Sequence, residues 1–359
     1  MKVPKKINQV RRKIMKSLTG NIGKQSKIDT KSGELPQIKR VLITRPNGRL
    51  GNLLLITPLL QEVSATFPDC KIDLFVKGGL APILFQNYEN VDKIIQLPKK
   101  PFKSLGNYMA SWVSLRRNKY DLVINVIRTS SSGRLSTQFS NSRFKFFGDY
   151  EDEIKCNEQM HIAKYPVYNF RKFLTELGFP KNETPIPSLD LKLSDSEMAL
   201  GKEKLQEITQ NDKKTICIFT YATGDKCYSE EWWGNFYTAL KEKYASYNII
   251  EVLPIENISR INFKAPTFYS KDVREIGAVI ANTDLFIGAD SGIMHLASAV
   301  KTPTVGLFSI TQPEIYEPYN NRSLAIKTGN CSVDDFMKVA AGVMALGFRM
   351  FFFMETQII

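Results

Sequence analysis

The sequence predicts an α/β protein made of two Rossmann-like domains facing a cleft. Three observations carry this reading. The 359 residues are enough for two domains of ordinary size. Short apolar runs alternate with helical patterns in two successive blocks, as in parallel sheets covered on both faces. A proline-bearing stretch, 179–190 with Pro180, Pro185 and Pro187, lies between the blocks and reads as a linker. The expected division is a basic tail over 1–37, a first domain over 38–178, that linker, a second domain over 191–329 and a helical tail over 330–359.

The first block opens with a strand, Val41-Leu42-Ile43-Thr44, and a turn rich in Pro, Asn and Gly, Arg45-Pro46-Asn47-Gly48-Arg49-Leu50-Gly51-Asn52. A helix follows over 53–67, with Pro58 tolerated as a kink or near a first turn. Strands are expected over 71–76 and 92–97 with a helical segment between them. A helix over 108–118 and a buried strand over 121–127 come next. Residues 128–160 read as loop with one strand near Phe144 to Phe147, and 161–178 as a helix.

The second block opens with a polar helix ending near Ile208, then a strand over 215–220. A loop containing Gly224-Asp225-Lys226 leads into a helix over 230–244 that carries Trp232 and Trp233. A strand over 248–253, the loop Pro254-Ile255-Glu256 and a helix over 273–281 complete the approach to the stretch that organises the chain. In Leu285-Phe286-Ile287-Gly288-Ala289-Asp290-Ser291-Gly292-Ile293-Met294-His295 a buried strand meets a tight polar turn and then a helix. Asp290 or Ser291 can cap that helix by accepting from its free N–H groups. Gly292 admits close approach of a ligand to the backbone. A helix start of this kind offers N–H donors and partial positive charge to a phosphate. The next strand is Thr304 to Phe308. Strand, turn and helix alone are common, and the same stretch also reads as a structural cap.

Charge and cysteines set limits. The net charge is +13, yet residues 1–37 hold ten Lys/Arg against two Asp/Glu, so most of the excess is N-terminal. Lys5, Lys6, Arg11, Arg12, Lys13 and Lys16 are interleaved with Ile7, Val10, Ile14 and Leu18 at helical spacing. That segment reads either as a basic amphipathic helix for peripheral contact with an anionic membrane or as a solvated tail. No motif supports nucleic-acid binding. Five cysteines without a C-x-x-C pair, and two histidines, argue against a zinc site or a disulfide framework and fit a reducing cytoplasm. The N-terminus lacks the uninterrupted apolar core of a secretory signal. In the tail, residues 340–354 are apolar but interrupted by Arg349. They read as a packing helix, or as membrane-interface contact through Phe351, Phe352 and Phe353.

Asp290-Ser291-Gly292-x-x-His295-Leu296-Ala297-x-Ala299, followed by Thr302-Pro303-Thr304-Val305, resembles the donor-site signature of glycosyltransferase family 9, the heptosyltransferases. Other stretches resemble that family in order along residues 38–328. Arg45, Leu50-Gly51-Asn52 and Pro58 fill the places of its opening motif, and Phe67-Pro68 precedes a strand as it does there. Thr220 to Lys226 with Glu231-Trp232-Trp233 is similar to its donor loop.

The resemblance implies a glycosyltransferase B-type fold and inverting transfer of heptose, or a related sugar, from a nucleotide diphosphate to a lipopolysaccharide-core or other lipid-linked saccharide. The work would be done at the cytoplasmic face of the membrane. No metal and no cofactor are implied; the donor, ADP-heptose, is a substrate. Carried over residue by residue, Thr220, Lys226, Glu256, Asp290, Ser291, Gly292 and His295 would contact the donor, with Lys226 on the phosphates. Glu256 lacks the Gly that usually precedes it, and His295 has a packing residue as its alternative reading. Arg45, Arg49 and Asn52 would meet the acceptor, the arginines suiting an anionic sugar. Asn52, Asp290 and Lys226 would form the catalytic set.

One departure matters. The family carries Asp where this chain has Asn52, and an amide cannot take the acceptor's proton. Another carboxylate serves (Asp149 and Glu151 are candidates), or the acceptor is engaged differently, or the chain binds nucleotide or saccharide without transfer. A dinucleotide oxidoreductase is the remaining reading. It calls for G-x-G-x-x-G after a first strand, and the glycines at 48 and 51 are spaced wrongly.

Overall fold

Apolar β-rich runs that are buried on both faces form the strands, and each helix returns the chain to the same edge. The computed structural model describes residues 35–99, 103–148, 160–319 and 322–330, together with Ser17, Thr19, Ile22 and Gly23. The basic stretch Lys5 to Lys16, the candidate bases Asp149 and Glu151, and the tail from Ser332 through Phe353 lie outside the described residues. The chain divides into two compact units, Met1–Lys192 and Leu193–Ile359.

The first unit holds β1 (Arg40–Arg45), α1 (Leu50–Leu54), α2 (Thr57–Thr66), β2 (Lys71–Lys77), α3 (Ala81–Leu84), β3 (Val91–Leu97), α4 (Leu105–Arg117), β4 (Lys119–Asn125), α5 (Ser131–Phe139), β5 (Asn141–Phe146) and α6 (Lys164–Glu176). Its sheet runs β3-β2-β1-β4-β5, and every pair is parallel. Val41, Leu42 and Ile43 on β1 and Leu122, Val123 and Ile124 on β4 have no exposed surface, as central strands covered on both faces require.

Two elements differ from expectation. The helix expected over 53–67 is two helices, because Pro58 cannot donate within a helix and is seated in the first turn of α2 instead. The stretch expected as loop after 128 contains α5, whose Ser130 cap accepts from Gly133 N–H. Its serine-rich start hid a helix that Ser-capping in fact begins.

Residues 179–192 stay with the first unit. A buried ion pair fixes them: Arg171 on α6 donates from Nε and Nη2 to the two oxygens of Glu62 on α2, both at 2.7 Å. Arg171 also donates to Thr184 O at 2.6 Å, and Asn182 Nδ2 to Glu62 Oε1 at 2.8 Å. Gln61 Nε2 and Tyr88 OH hold the carbonyls of Ser188 and Asp190.

The second unit holds α7 (Asp195–Thr209), β6 (Thr215–Phe219), a 3-10 turn (Gly224–Lys226), α8 (Glu230–Lys243), β7 (Asn248–Val252), β8 (Thr267–Phe268), α9 (Val273–Ala281), β9 (Leu285–Ala289), α10 (Gly292–Ala299), β10 (Thr304–Phe308), α11 (Pro313–Tyr316) and β11 (Leu324–Lys327). Its sheet runs β11-β10-β9-β6-β7-β8, again all parallel. The core is built on Trp233, Phe236 and Leu240 of α8 against Ile216, Ile218 and Ile287. Among the described residues no helix is long and apolar enough to cross a membrane.

Candidate functional site

Both sheets reverse their winding next to their first strand, between β1 and β4 and between β6 and β9. In open parallel sheets ligands bind at the carboxyl ends of the strands flanking such a switch point. The second unit brings most of the expected donor residues there. β6 ends at Phe219 and delivers the loop that carries Lys226. β9 ends at Ala289 and delivers Asp290, Ser291 and α10.

Lys226 Nζ donates to Asp290 Oδ2. The same oxygen accepts from Thr311 Oγ1 at 2.6 Å, on the segment that leaves β10. Asp290 is 6% exposed and Lys226 36%, so the carboxylate is the fixed base and the ammonium faces outward from it. Gly224, at φ +69°, makes the turn that points the lysine back over the sheet; a left-handed residue there calls for glycine. Ser291 caps α10, its Oγ accepting from Met294 N–H at 3.3 Å. Among the described residues no partner takes the N–H of Gly292 or Ile293, which leaves two donors at a positive helix end, beside an ammonium.

The other donor candidates fall differently. Thr220 is buried, 1% exposed. Its hydroxyl donates to Glu251 Oε1 at 2.5 Å and accepts from Arg260 N–H at 3.1 Å. That clamps the outlets of β6 and β7 together and leaves Thr220 facing the interior. His295 is 4% exposed on the packed side of α10. Glu256 is exposed on the loop after β7.

Three residues at this edge were not singled out from the sequence: Thr311, Tyr228 and Glu251. Tyr228 OH shares a 2.7 Å hydrogen bond with Thr328 Oγ1, and its ring stacks on Trp232 at 4.3 Å. Burial, reinforced by the Asp290 charge, raises the phenol above its ordinary value. Burial likewise raises the Glu251 carboxyl. No local signal marks Thr311, since its reach to Asp290 depends on β10 lying beside β9.

In the first unit, Arg45 at the end of β1 donates from Nη2 to Asn52 Oδ1 at 2.9 Å. A guanidinium has no acceptor, so the amide must turn its oxygen to Arg45 and its NH2 away. The loop between them is pinned by Asn47, whose Oδ1 accepts from Arg49 N–H at 3.0 Å, and by Gly48. A Cβ on Gly48 would stand 2.3 Å from Lys77 O. Arg49 itself is exposed.

Two doubly wound parallel sheets in one chain define the B-type glycosyltransferase fold, and a solved family 9 glycosyltransferase from Veillonella parvula shares it. That structure superposes with a TM-score of 0.68 at 17% identity, over 87% of this chain and 99% of its own. An Escherichia coli heptosyltransferase solved with ADP gives 0.62 at 17%, over 85% and 99%. Lipopolysaccharide heptosyltransferase 3 of Escherichia coli K12 is 26% identical over 305 residues, 78% of this chain and 86% of that protein. The profile of glycosyltransferase family 9 (heptosyltransferase) matches residues 270–340, the stretch that contains Asp290, Ser291 and Thr311. Over residues 270–340, then, the chain is similar to glycosyltransferase family 9, and its fold is that of the solved family members.

Proposed function

We propose that this protein transfers heptose, or a closely related sugar, from ADP-heptose to a saccharide of the lipopolysaccharide core, with inversion. The observation that carries the reading is the cluster at the β6/β9 switch point: Lys226 and Thr311 on Asp290 Oδ2, beside the open N–H groups of α10. A departing nucleoside diphosphate gains negative charge as the sugar leaves. Lys226 and the helix start neutralise it in place, which is where most of the rate enhancement in such a site arises. Asp290 holds the ammonium and presents its other oxygen to sugar hydroxyls. The relatives support the donor: one is named a heptosyltransferase and another was solved with ADP. On this reading Arg45 and Asn52 meet the acceptor. A neutral amide beside the guanidinium leaves the pocket cationic, which suits a phosphorylated or acidic sugar. Peripheral contact with an anionic membrane would bring the chain to a lipid-linked acceptor.

A second reading, nucleotide or saccharide binding without transfer, is kept because Asn52 cannot serve as a base. Thermal shift with ADP, UDP, GDP, CDP and NAD tests both. At about a hundred times its dissociation constant a ligand specific for the folded state adds about 2.7 kcal/mol. The expected result is a shift with ADP, followed by transfer from ADP-heptose to a core saccharide. A shift with ADP and no turnover favours the second reading. A shift with NAD alone, or with another nucleotide, overturns the proposed donor.

A further inference from the structure

Helix α4 is seated on its sheet by a narrow face. Leu115 is its one buried residue, with Tyr108 and Trp112 half-buried against the core around Leu42 and Phe75. Its outer side carries Leu105, Met109 and Val113, one turn apart and 60%, 54% and 46% exposed. Phe139, at the end of α5 and 41% exposed, extends the row, its ring edge-on to Trp112 at 5.9 Å. Single exposed apolar residues are ordinary, whereas a contiguous row of four is not.

Among the described residues, the three elements that carry or flank this row bear charge of one sign. α4, α5 and β5 contain Arg116, Arg117, Arg134, Arg143 and Lys145 and no Asp or Glu. Arg134 is buried, whereas Arg116, Arg117 and Arg143 are exposed and Lys145 is half-buried, its Nζ donating to Gln138 O on α5. The Arg116 guanidinium lies 5.3 Å from the Phe139 ring centre, and that of Arg143 4.8 Å from the Phe144 ring. Lys145 is near enough to Arg116 that its ammonium pKa, already lowered by burial, is lowered further. Asp92 on β3 is paired with Arg40, and Asp121 on β4 accepts from the N–H groups of Lys39 and Arg40.

We infer that the outer face of α4, with Phe139 and the basic residues Arg116, Arg117, Arg143 and Lys145, docks on an anionic lipid bilayer. Apolar side chains reach the acyl boundary while the guanidinium groups meet lipid phosphates, as an interfacial amphipathic helix does. A second copy of the chain is a poorer occupant. A two-fold contact would set these basic residues against their own copies. The inference rests on the proposed lipid-linked acceptor only for its biological purpose, and the two are tested separately.

The test is flotation of the full chain with phosphatidylcholine vesicles, with and without about 30% phosphatidylglycerol. Wild type is expected to float with the anionic vesicles only. Met109→Glu/Val113→Glu and, separately, Arg116→Ser/Arg117→Ser should each lower the floated fraction at least about fivefold. These side chains are exposed, so melting temperatures should hold within about 1 °C, and transfer to a water-soluble acceptor should be unchanged. Undiminished flotation of both variants overturns the inference and assigns lipid binding to another part of the chain. A dimer in gel filtration that Met109→Glu/Val113→Glu abolishes, with flotation unaffected, overturns it in favour of a second copy. Surface-dependent flotation in a protein that ADP does not stabilise keeps the docking surface and removes the proposed donor instead.

Discussion

Lys226 is bonded to Asp290 across 64 residues of sequence, and the pair closes the gap between the outlets of β6 and β9. On the proposed reading, Asp290 holds the lysine in place until a diphosphate competes for it. Lys226→Ala should lower kcat/KM for the nucleotide sugar by about 100- to 1000-fold, the usual loss when one donor to a developing oxyanion is removed. It should also abolish the thermal shift with ADP. Retention of that shift would make the lysine a mere counter-ion of Asp290.

The Arg45–Asn52 bond yields a prediction of gain. A carboxylate at position 52 can accept from Arg45 as Oδ1 does now, at 2.9 Å, without moving the helix. Asn52→Asp should therefore fold as wild type does and raise the transfer rate about 100-fold by supplying a general base. The pH–rate profile should gain a limb that rises through the carboxylate range. Equal rates in the two proteins would show that another group takes the proton.

Much of this site was legible because it depends on short-range rules. A β-run ending in Asp290-Ser291-Gly292 specifies a strand, a cap and a helix start, and the structure places Ser291 as the cap. What was not legible depends on strand order. Thr311 reaches Asp290 because β10 lies beside β9, and Thr220 turns inward because Glu251 stands on the adjacent β7. No local pattern reports which strands are neighbours. The split between α1 and α2 was foreshadowed by Pro58, but whether it kinked one helix or began another was decided by packing: Leu54, Ile56 and Thr57 are all buried.

The Glu62–Arg171 pair makes a stability prediction about the segment that leaves the first unit. Both side chains are under a tenth exposed, and the carboxylate also accepts from Asn182. Glu62→Ala strands a buried guanidinium and should cost about 3–5 kcal/mol in urea unfolding. It should also expose residues 182–190 to proteolysis before the rest of the unit. Equal protection of that stretch would mean that Gln61 and Tyr88 suffice to hold it.

Two carboxylates of the second unit should give its stability opposite dependences on pH. Arg274, donating to both oxygens of Glu197 at 2.5 and 2.8 Å, holds that carboxyl down to about 2 from 4.5. A depressed folded pKa gives stability that is present above the unfolded pKa and lost as pH falls toward the folded one. The Tm of wild type should thus fall more steeply than that of Glu197→Gln below about pH 4.5. Glu251 is the reverse, since burial raises its folded pKa. Between the unfolded and folded values the native state binds the extra proton, so stability falls as pH rises. Glu251→Gln keeps an acceptor for the Thr220 hydroxyl and carries no charge. Its Tm should exceed that of wild type near pH 7 and converge with it near pH 4, each pKa unit being worth about 1.4 kcal/mol. A Glu251→Gln protein that melts below wild type at neutral pH would show that the ionised carboxylate is itself required at the β6–β7 clamp.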